Sequence, residues 1–351
     1  MQVIDSAKPI LVTGAGGYIA SWIIEFLLEK GYRVRGTVRS LSANNRLAHL
    51  EAMIKNHDGR LELFEADLLK HGSFTKAMEG CELVFHTASP FKFQGVKNPQ
   101  KELIDPALEG VRNVLLTVEE TPSVRRVVLT SSAAAIYGDA KEIEDQPNRM
   151  FTEQVWNLSS SIEHQPYSFS KTIAEREAWN MAGQQMRWDL VVMNPTFVLG
   201  PSLSRRTDST STGFILSLLK GEYKSGTPDL YYGVVDVRDV AQAHILAGFT
   251  PSASGRHVLC NQSMSVLEIA QVIRAEYGGR FPLPKRRIPK PLMQLIAPLA
   301  GLTRKYVKNN VGYRPVFDNS RSLEKLHVHY RPVRETLLDQ AAQLIQDGFL
   351  D

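Results

Sequence analysis

Short apolar runs alternate with amphipathic ones along the first two hundred residues. Ile10–Val12 is an apolar run that passes through glycines into Trp22-Ile-Ile-Glu-Phe-Leu-Leu28, where apolar positions recur at helical spacing. Gly31 stops that helix. Tyr32–Val38 reads as a second strand, Leu61–Ala66 as a third and Leu83–His86 as a fourth. Arg126–Thr130 is a fifth, buried on both faces, and Leu190–Met193 a sixth, closed by Asn194-Pro195. Helical patterns cover Asp105–Glu120 and Tyr167–Met181. This βαβα rhythm predicts an α/β fold with a doubly wound parallel sheet. Beyond Pro195 the rhythm weakens. Arg205–Gly213 reads as a loop, and Val234–Val237 with Arg238–Phe249 as one more strand and helix returning to the sheet. From Ser263 onward come short helices and proline-marked turns.

The glycines between the first strand and helix form G-x-x-G-x-x-A at Gly14, Gly17 and Ala20. Gly14 suits a tight turn, Gly17 lets a pyrophosphate approach the backbone, and Ala20 lets the helix lie close to its strand. The helix N-terminus, at Tyr18 and Ile19, offers free N–H groups to phosphates. A plain glycine-rich turn would look the same; position near the N-terminus, between strand and helix, argues for a nucleotide. In a Rossmann sheet, ligands bind beyond the carboxyl ends of the strands. Asp67, Thr87, Ala88, Ser89, Ser131, Ser132, Pro195 and Thr196 all fall at such ends, which argues for one cofactor site. Where an acid would hold the ribose of NAD, the second strand ends in Val38-Arg39-Ser40. A guanidinium grips a 2′-phosphate, so NADP(H) is expected. Residues 1–195 are then a NADP-binding domain to which 231–250 return, and 196–351 a smaller substrate-binding lobe.

Tyr167 and Lys171 lie one helical turn apart, about 35 residues beyond Ser132. Reduction of a carbonyl puts negative charge on its oxygen, so a hydroxyl must bind that oxygen and an acid must supply a proton. Ser132 fits the first task and Tyr167 the second, with Lys171 lowering the tyrosine pKa. Ser131 is the rival of Ser132.

Composition narrows the picture without redirecting it. The chain has 351 residues, 43% hydrophobic and 22% charged, with net charge +4. The basic clusters Lys285-Arg-Arg287 and Arg304-Lys305 read as solvated faces, since no interleaved aromatic residues argue for nucleic acid. Two cysteines, Cys81 and Cys260, suggest a reducing compartment and a cytoplasmic protein. Leu292–Leu302 reads as core or pocket wall rather than a membrane anchor. His86 reads as packing at a strand end and His244 as making structural hydrogen bonds, while His327 and His329 have no Cys or acid partners at ligand spacing, so no metal is expected. Asn113 reads as a helix surface residue.

The chain resembles the extended short-chain dehydrogenases/reductases, and within them the dihydroflavonol reductase and cinnamoyl-CoA reductase branch with its microbial aldehyde and ketone reductases. The resemblance is carried by Val12-Thr-Gly-Ala-Gly-Gly-Tyr-Ile, Val34–Arg39, Ala66-Asp-Leu68, Val84–Pro90, Val124–Ser132, Tyr167–Lys171, Asn194–Pro201 and Val235–His244. It implies that Arg39 and Arg46 meet the 2′-phosphate, that Asp67 and Leu68 flank the adenine, and that Pro195, Thr196, Phe197 and Val198 line the nicotinamide. It implies that Lys171 also holds the nicotinamide ribose, and that Ser211 is a loop serine near the phosphates. Ser89, Phe91, Tyr137 and Phe197 would face the substrate. Tyr137 replaces the asparagine of dihydroflavonol reductases, and the Trp-Tyr-Cys signature of cinnamoyl-CoA reductases is missing, so a general carbonyl reductase, monomer or homodimer, fits better. The rivals are a sugar-nucleotide epimerase holding NAD and a non-catalytic NADP sensor; Arg39 argues against the first, and the Tyr167–Lys171 pair against the second.

Overall fold

The computed structural model describes residues 4–42, 44–89, 96–205 and 209–350, with backbone alone for 44–46 and 300. The chain begins with alternating strands and helices. They are β1 (Ile10–Thr13), α1 (Tyr18–Glu29), β2 (Val34–Val38), α2 (Asn44–Asn56), β3 (Leu61–Glu65), α3 (Thr75–Met78) and β4 (Leu83–His86). Then come α4 (Asp105–Glu120), β5 (Arg126–Thr130), α5 (Pro166–Ala182), β6 (Asp189–Pro195), β7 (Phe197–Leu199), α6 (Thr210–Leu219) and β8 (Thr227–Pro228). The rest comprises β9 (Tyr231–Asp236), α7 (Val237–Phe249), β10 (Gly255–Leu259), β11 (Gln262–Ser265), α8 (Val266–Tyr277), β12 (Arg287–Ile288), α9 (Lys290–Ile296), α10 (Arg304–Asn310), α11 (Ser320–Leu326) and α12 (Val333–Gln346).

Among the described residues, seven strands form one sheet in the order β10-β6-β5-β4-β1-β2-β3, every pair parallel. The order reverses between β1 and β4, where Thr13 lies beside His86. Both faces are covered, which explains why β1, β4 and β5 read as continuous apolar runs. On one face Ile23, Ile24, Leu27 and Leu28 of α1 pack with Val240, Ala241 and Ile245 of α7. On the other, Val111, Val114, Leu115 and Val118 of α4 meet Ala174 and Ala178 of α5. A buried guanidinium fastens the β5–β6 end. Arg126 grips Asp189 through Nε and Nη2 at 2.7 and 2.8 Å and donates to the carbonyls of Ala247 and Thr250 at the end of α7.

The smaller lobe is built on the three-stranded sheet β11-β9-β7. Its own core joins Ile215 and Leu218 of α6, Ile269 and Ile273 of α8, and Leu337 and Ala341 of α12.

The structure corrects four expectations. The strand expected to return to the large sheet at Val234–Val237 is β9, which pairs with β7 and β11 instead. What returns is helix α7 and then β10, a strand the apolar pattern did not reveal because Arg256 and His257 interrupt it. The loop expected through Gly213 ends at Ser209, whose side chain accepts from Thr212 N at 3.1 Å and starts α6 early. Asn113 is buried, its Nδ2 donating to Leu68 O at 2.7 Å. Leu292–Leu302 is split: Met293 and Ala297 are buried while Leu292, Leu295 and Leu299 are exposed.

Candidate active site

The glycine turn is shaped by two close approaches. Gly14 has φ +69°, and a Cβ there would stand 3.0 Å from the Ala88 Cα. A Cβ on Gly17 would stand 3.0 Å from the Gly14 carbonyl oxygen, which accepts from Gly17 N at 2.8 Å. Side chains at either position would break the turn and fill the cradle over the first turn of α1, so the residues present fit a dinucleotide pyrophosphate. Thr13 Oγ1 binds His86 Nδ1 at 2.9 Å and accepts from Ala88 N at 3.0 Å, which locks the two strand ends together. Thr87 is held by its hydroxyl on Thr13 O at 2.5 Å. The side chains of Tyr18 and Ile19 turn away from the cradle: Tyr18 donates to Gly200 O at 2.5 Å and Ile19 packs on the core.

Arg39 is exposed just beyond β2. Asp67 follows β3, its carboxylate accepting from Leu69 N at 2.9 Å, with Leu68 packed beside Gly110. Arg46 lies in α2, its side chain outside the described residues, as is Phe91 altogether. Ser211 sits in the first turn of α6 rather than in a loop, buried, its carbonyl taking a bond from Gln340.

The carboxyl ends of β4 and β5 and the first turns of α5 bring together Ser89, Ser132, Tyr167 and Lys171. The Tyr167 hydroxyl bonds the Ser132 side chain. Lys171 Nζ donates to Ser89 Oγ at 2.9 Å and lies 5.8 Å from the Tyr167 ring centre. Burial pushes the Tyr167 phenol up to about 12, against the smaller effect of the Ser132 bond. Desolvation sets the direction of this shift, and the Lys171 ammonium is turned towards Ser89. Burial likewise lowers Lys171 to about 8, with Glu175 acting in the opposite direction. His86 is brought down to about 3 by burial and the nearby Lys171, so it is neutral here.

Ser131 faces elsewhere. Its hydroxyl donates to Glu175 at 2.5 Å, and the same carboxylate accepts from Asn194 Nδ2 at 2.7 Å and Arg256 Nε at 2.6 Å. Asn194 also donates to Ser132 O at 3.1 Å, which ties this buried network to the serine next door. Glu175 is legible in retrospect as the residue four places past Lys171 on one helix face. Arg256 carries no local signal.

Aromatic rings form two clusters, one within the smaller lobe and one at its border with the larger. Phe197 stands 5.3 Å from Phe214 and 5.4 Å from Tyr232, and Tyr232 bonds Tyr306 of α10. Tyr137 stacks on Phe151 at 4.8 Å and meets Phe317 edge-on at 5.4 Å. Thr196 is turned back onto Leu259 O at 3.1 Å, while Pro195 and Val198 flank it on β6 and β7. Among the described residues no three His, Cys, Asp or Glu side chains could hold a metal ion.

This arrangement, a dinucleotide cradle facing a Ser–Tyr–Lys group, belongs to a known class. Residues 10–260 match the model of the NAD dependent epimerase/dehydratase family. The chain belongs to that family, the extended short-chain dehydrogenases/reductases. It is 41% identical over 282 residues to cinnamoyl-CoA reductase CAD2 of Medicago truncatula, covering 79% of this chain and 83% of that one. It is 35% identical to tetraketide alpha-pyrone reductase 1 of Arabidopsis thaliana over 99% of this chain and 98% of that one. The solved structure of the yeast methylglyoxal/isovaleraldehyde reductase Gre2 complexed with NADPH superposes with a TM-score of 0.80 at 26% identity, covering 98% of this chain and 100% of that one.

Proposed function

We propose that the chain is an NADPH-dependent carbonyl reductase that converts a small aldehyde or ketone into its alcohol. The observation that carries this reading is the Ser132–Tyr167 hydrogen bond, one helical turn from Lys171. Gly14, Gly17 and the first turn of α1 would hold the pyrophosphate, Arg39 the 2′-phosphate, and Lys171 the nicotinamide ribose, displacing its bond to Ser89. NADPH, when bound, supplies the hydride. Ser132 hydrogen-bonds the substrate oxygen, and Tyr167 passes it a proton as the carbon is reduced; solvent then returns a proton to Tyr167. A phenol that keeps its proton to about pH 12 is ready for this role throughout the neutral range. Phe197 and Tyr137 offer the substrate an apolar wall, residues 1–195 with α7 and β10 making the cofactor lobe and the smaller sheet with its helices the substrate lobe.

The test is NADPH oxidation against a panel of aromatic and aliphatic aldehydes and ketones. Tyr167→Phe keeps the ring and should lower the rate by roughly 10²–10⁴, the usual contribution of general acid catalysis. Arg39→Asp should weaken NADPH by about 1.5–3 kcal/mol or more while sparing NADH. Normal turnover by a folded Tyr167→Phe protein defeats the mechanism. Purified protein holding NAD through dialysis would point to an epimerase instead.

A further inference from the structure

The charge of this chain is unevenly spread. Between Tyr277 and Phe317 stand nine Lys and Arg residues, namely 280, 285–287, 290, 304, 305, 308 and 314, and no Asp or Glu. The whole chain carries 41 basic and 37 acidic residues, so everything outside this stretch is net acidic, 32 against 37. The stretch runs through β12, α9, the short helical turn Ala297–Ala300 and α10, on the outside of the smaller lobe.

The same stretch bears the most exposed apolar cluster on the described surface. Leu292, Leu295 and Leu299 are 47, 69 and 91% exposed. Their spacing of three and then four residues puts them on one helical face. The opposite face is spoken for: Met293 and Ala297 are buried and Ile296 packs on the smaller lobe's core. The helix therefore holds its place without these leucines. Leaving leucine side chains in water forgoes the gain from burying them, and clustered exposure marks a contact surface.

Several of the surrounding cations are already engaged. Arg287 pairs with Asp229 at 3.1 Å, Arg314 approaches Glu268 at 3.8 Å, and Lys290 donates to Lys308 O at 2.8 Å, with Glu144 and Lys141 the other charged groups near it. Lys285, Arg304, Lys305 and Lys308 are exposed and show no acidic partner among the described residues. A leucine ridge bordered by uncommitted cations has the make-up of an interfacial helix, which buries its apolar edge at the headgroup level while its cations meet anionic lipid. Two copies of this chain meeting through this face would bring like charges together, which disfavours self-association as its purpose. No helix among the described residues is long and apolar enough to cross a membrane, so the contact would lie on the bilayer.

We propose that the Leu292–Leu295–Leu299 ridge and its basic border form a peripheral docking surface for an anionic lipid bilayer. Helix α10, which carries Arg304 and Lys305 of that border, also carries Tyr306, which reaches Tyr232 in the aromatic cluster of the smaller lobe. Docking would leave that cluster close to the membrane.

The test is co-sedimentation of the full chain with vesicles of phosphatidylcholine alone and with phosphatidylserine added. Binding to the anionic vesicles should be at least about tenfold tighter and should be lost at high salt. Leu295→Glu with Leu299→Glu, and separately Arg304→Glu with Lys305→Glu, should each abolish it. All four residues are on the surface, so thermal unfolding should be unchanged, which separates a docking defect from a folding one. No binding to anionic vesicles, binding that survives either double variant, or a dimer that the leucine variant dissolves while vesicles bind nothing would each overturn the proposal.

Discussion

Two adjacent serines end β5, and their hydroxyls have opposite surroundings. Ser132 meets the Tyr167 hydroxyl in the cleft, while Ser131 is sealed against Glu175. Ser132→Ala should therefore cost about 10²–10³ in kcat, the usual loss of one oxyanion donor, with NADPH affinity retained. Ser131→Ala should instead lower the melting temperature and leave kcat within a few fold. Steady-state kinetics with calorimetry separate the two, and a reversed pattern would exchange their roles. The pH dependence also belongs at this scale. Lys171 is held down to about 8, so its cation is present below that pH and lost above it. Tyr167, raised to about 12, does not titrate in that window. The kcat/KM profile should fall on the alkaline side near pH 8, through weaker NADPH binding. A profile flat to pH 10 would remove Lys171 from cofactor binding. Residue types and spacing made Ser132, Tyr167 and Lys171 legible in the sequence. The pKa order was not legible, because it depends on how deeply the phenol is buried, which no local pattern encodes.

At the scale of elements, a carboxylate inside α5 organises three others. Glu175 receives Ser131 from the end of β5, Asn194 from β6 and Arg256 from β10. Arg256 further donates to the carbonyls of Glu153 and Val155 and lies 3.9 Å over the Trp156 ring. Both ionic side chains are almost wholly buried, 7% and 0% exposed. Removing one partner leaves the other charge unpaired in the interior, which typically costs about 3–5 kcal/mol. Arg256→Leu and Glu175→Gln should each unfold the protein at markedly lower denaturant, and the double variant should cost less than their sum. Strict additivity would mean that the two side chains do not act as a pair. Strands β1, β4, β5 and β6 were readable because parallel strands covered on both faces are apolar through their middles. β10 was not, because its Arg256 answers a carboxylate 81 residues away rather than its own neighbours.

At the scale of the molecule, Asp139 joins what the chain order keeps apart. Its carboxylate accepts from His164 Nε2 at 2.9 Å, Gln165 Nε2 at 2.7 Å and the side chains of Asn309 and Asn310 in α10, each at 2.7 Å. Gln165 holds a left-handed backbone, φ 56°, two residues before Tyr167. Such conformations persist only where the surroundings over-determine them. Asp139→Asn should release α10 from the catalytic helix, seen as faster amide exchange at 304–310, and should lower kcat more than it raises KM. Unchanged exchange there would mean that the lobe is held by its apolar core alone. None of this hub could be read from the sequence, since its members are far apart and individually ordinary.

The place of β10 has a consequence for how the protein is made. A ribosome that has just released Pro195 has supplied six of the seven large-sheet strands, yet β6 still lacks its outer neighbour. The chain must first emit β7 and β9 of the smaller sheet, then α7, before Leu259 completes the edge. At the usual pace of synthesis that interval is about 3–13 s. Throughout it, an apolar strand, Leu-Val-Val-Met, presents open hydrogen-bonding groups to the crowded cell. The nascent chain is most exposed to mispairing in that window, and chaperone contact during synthesis should centre on residues 189–195.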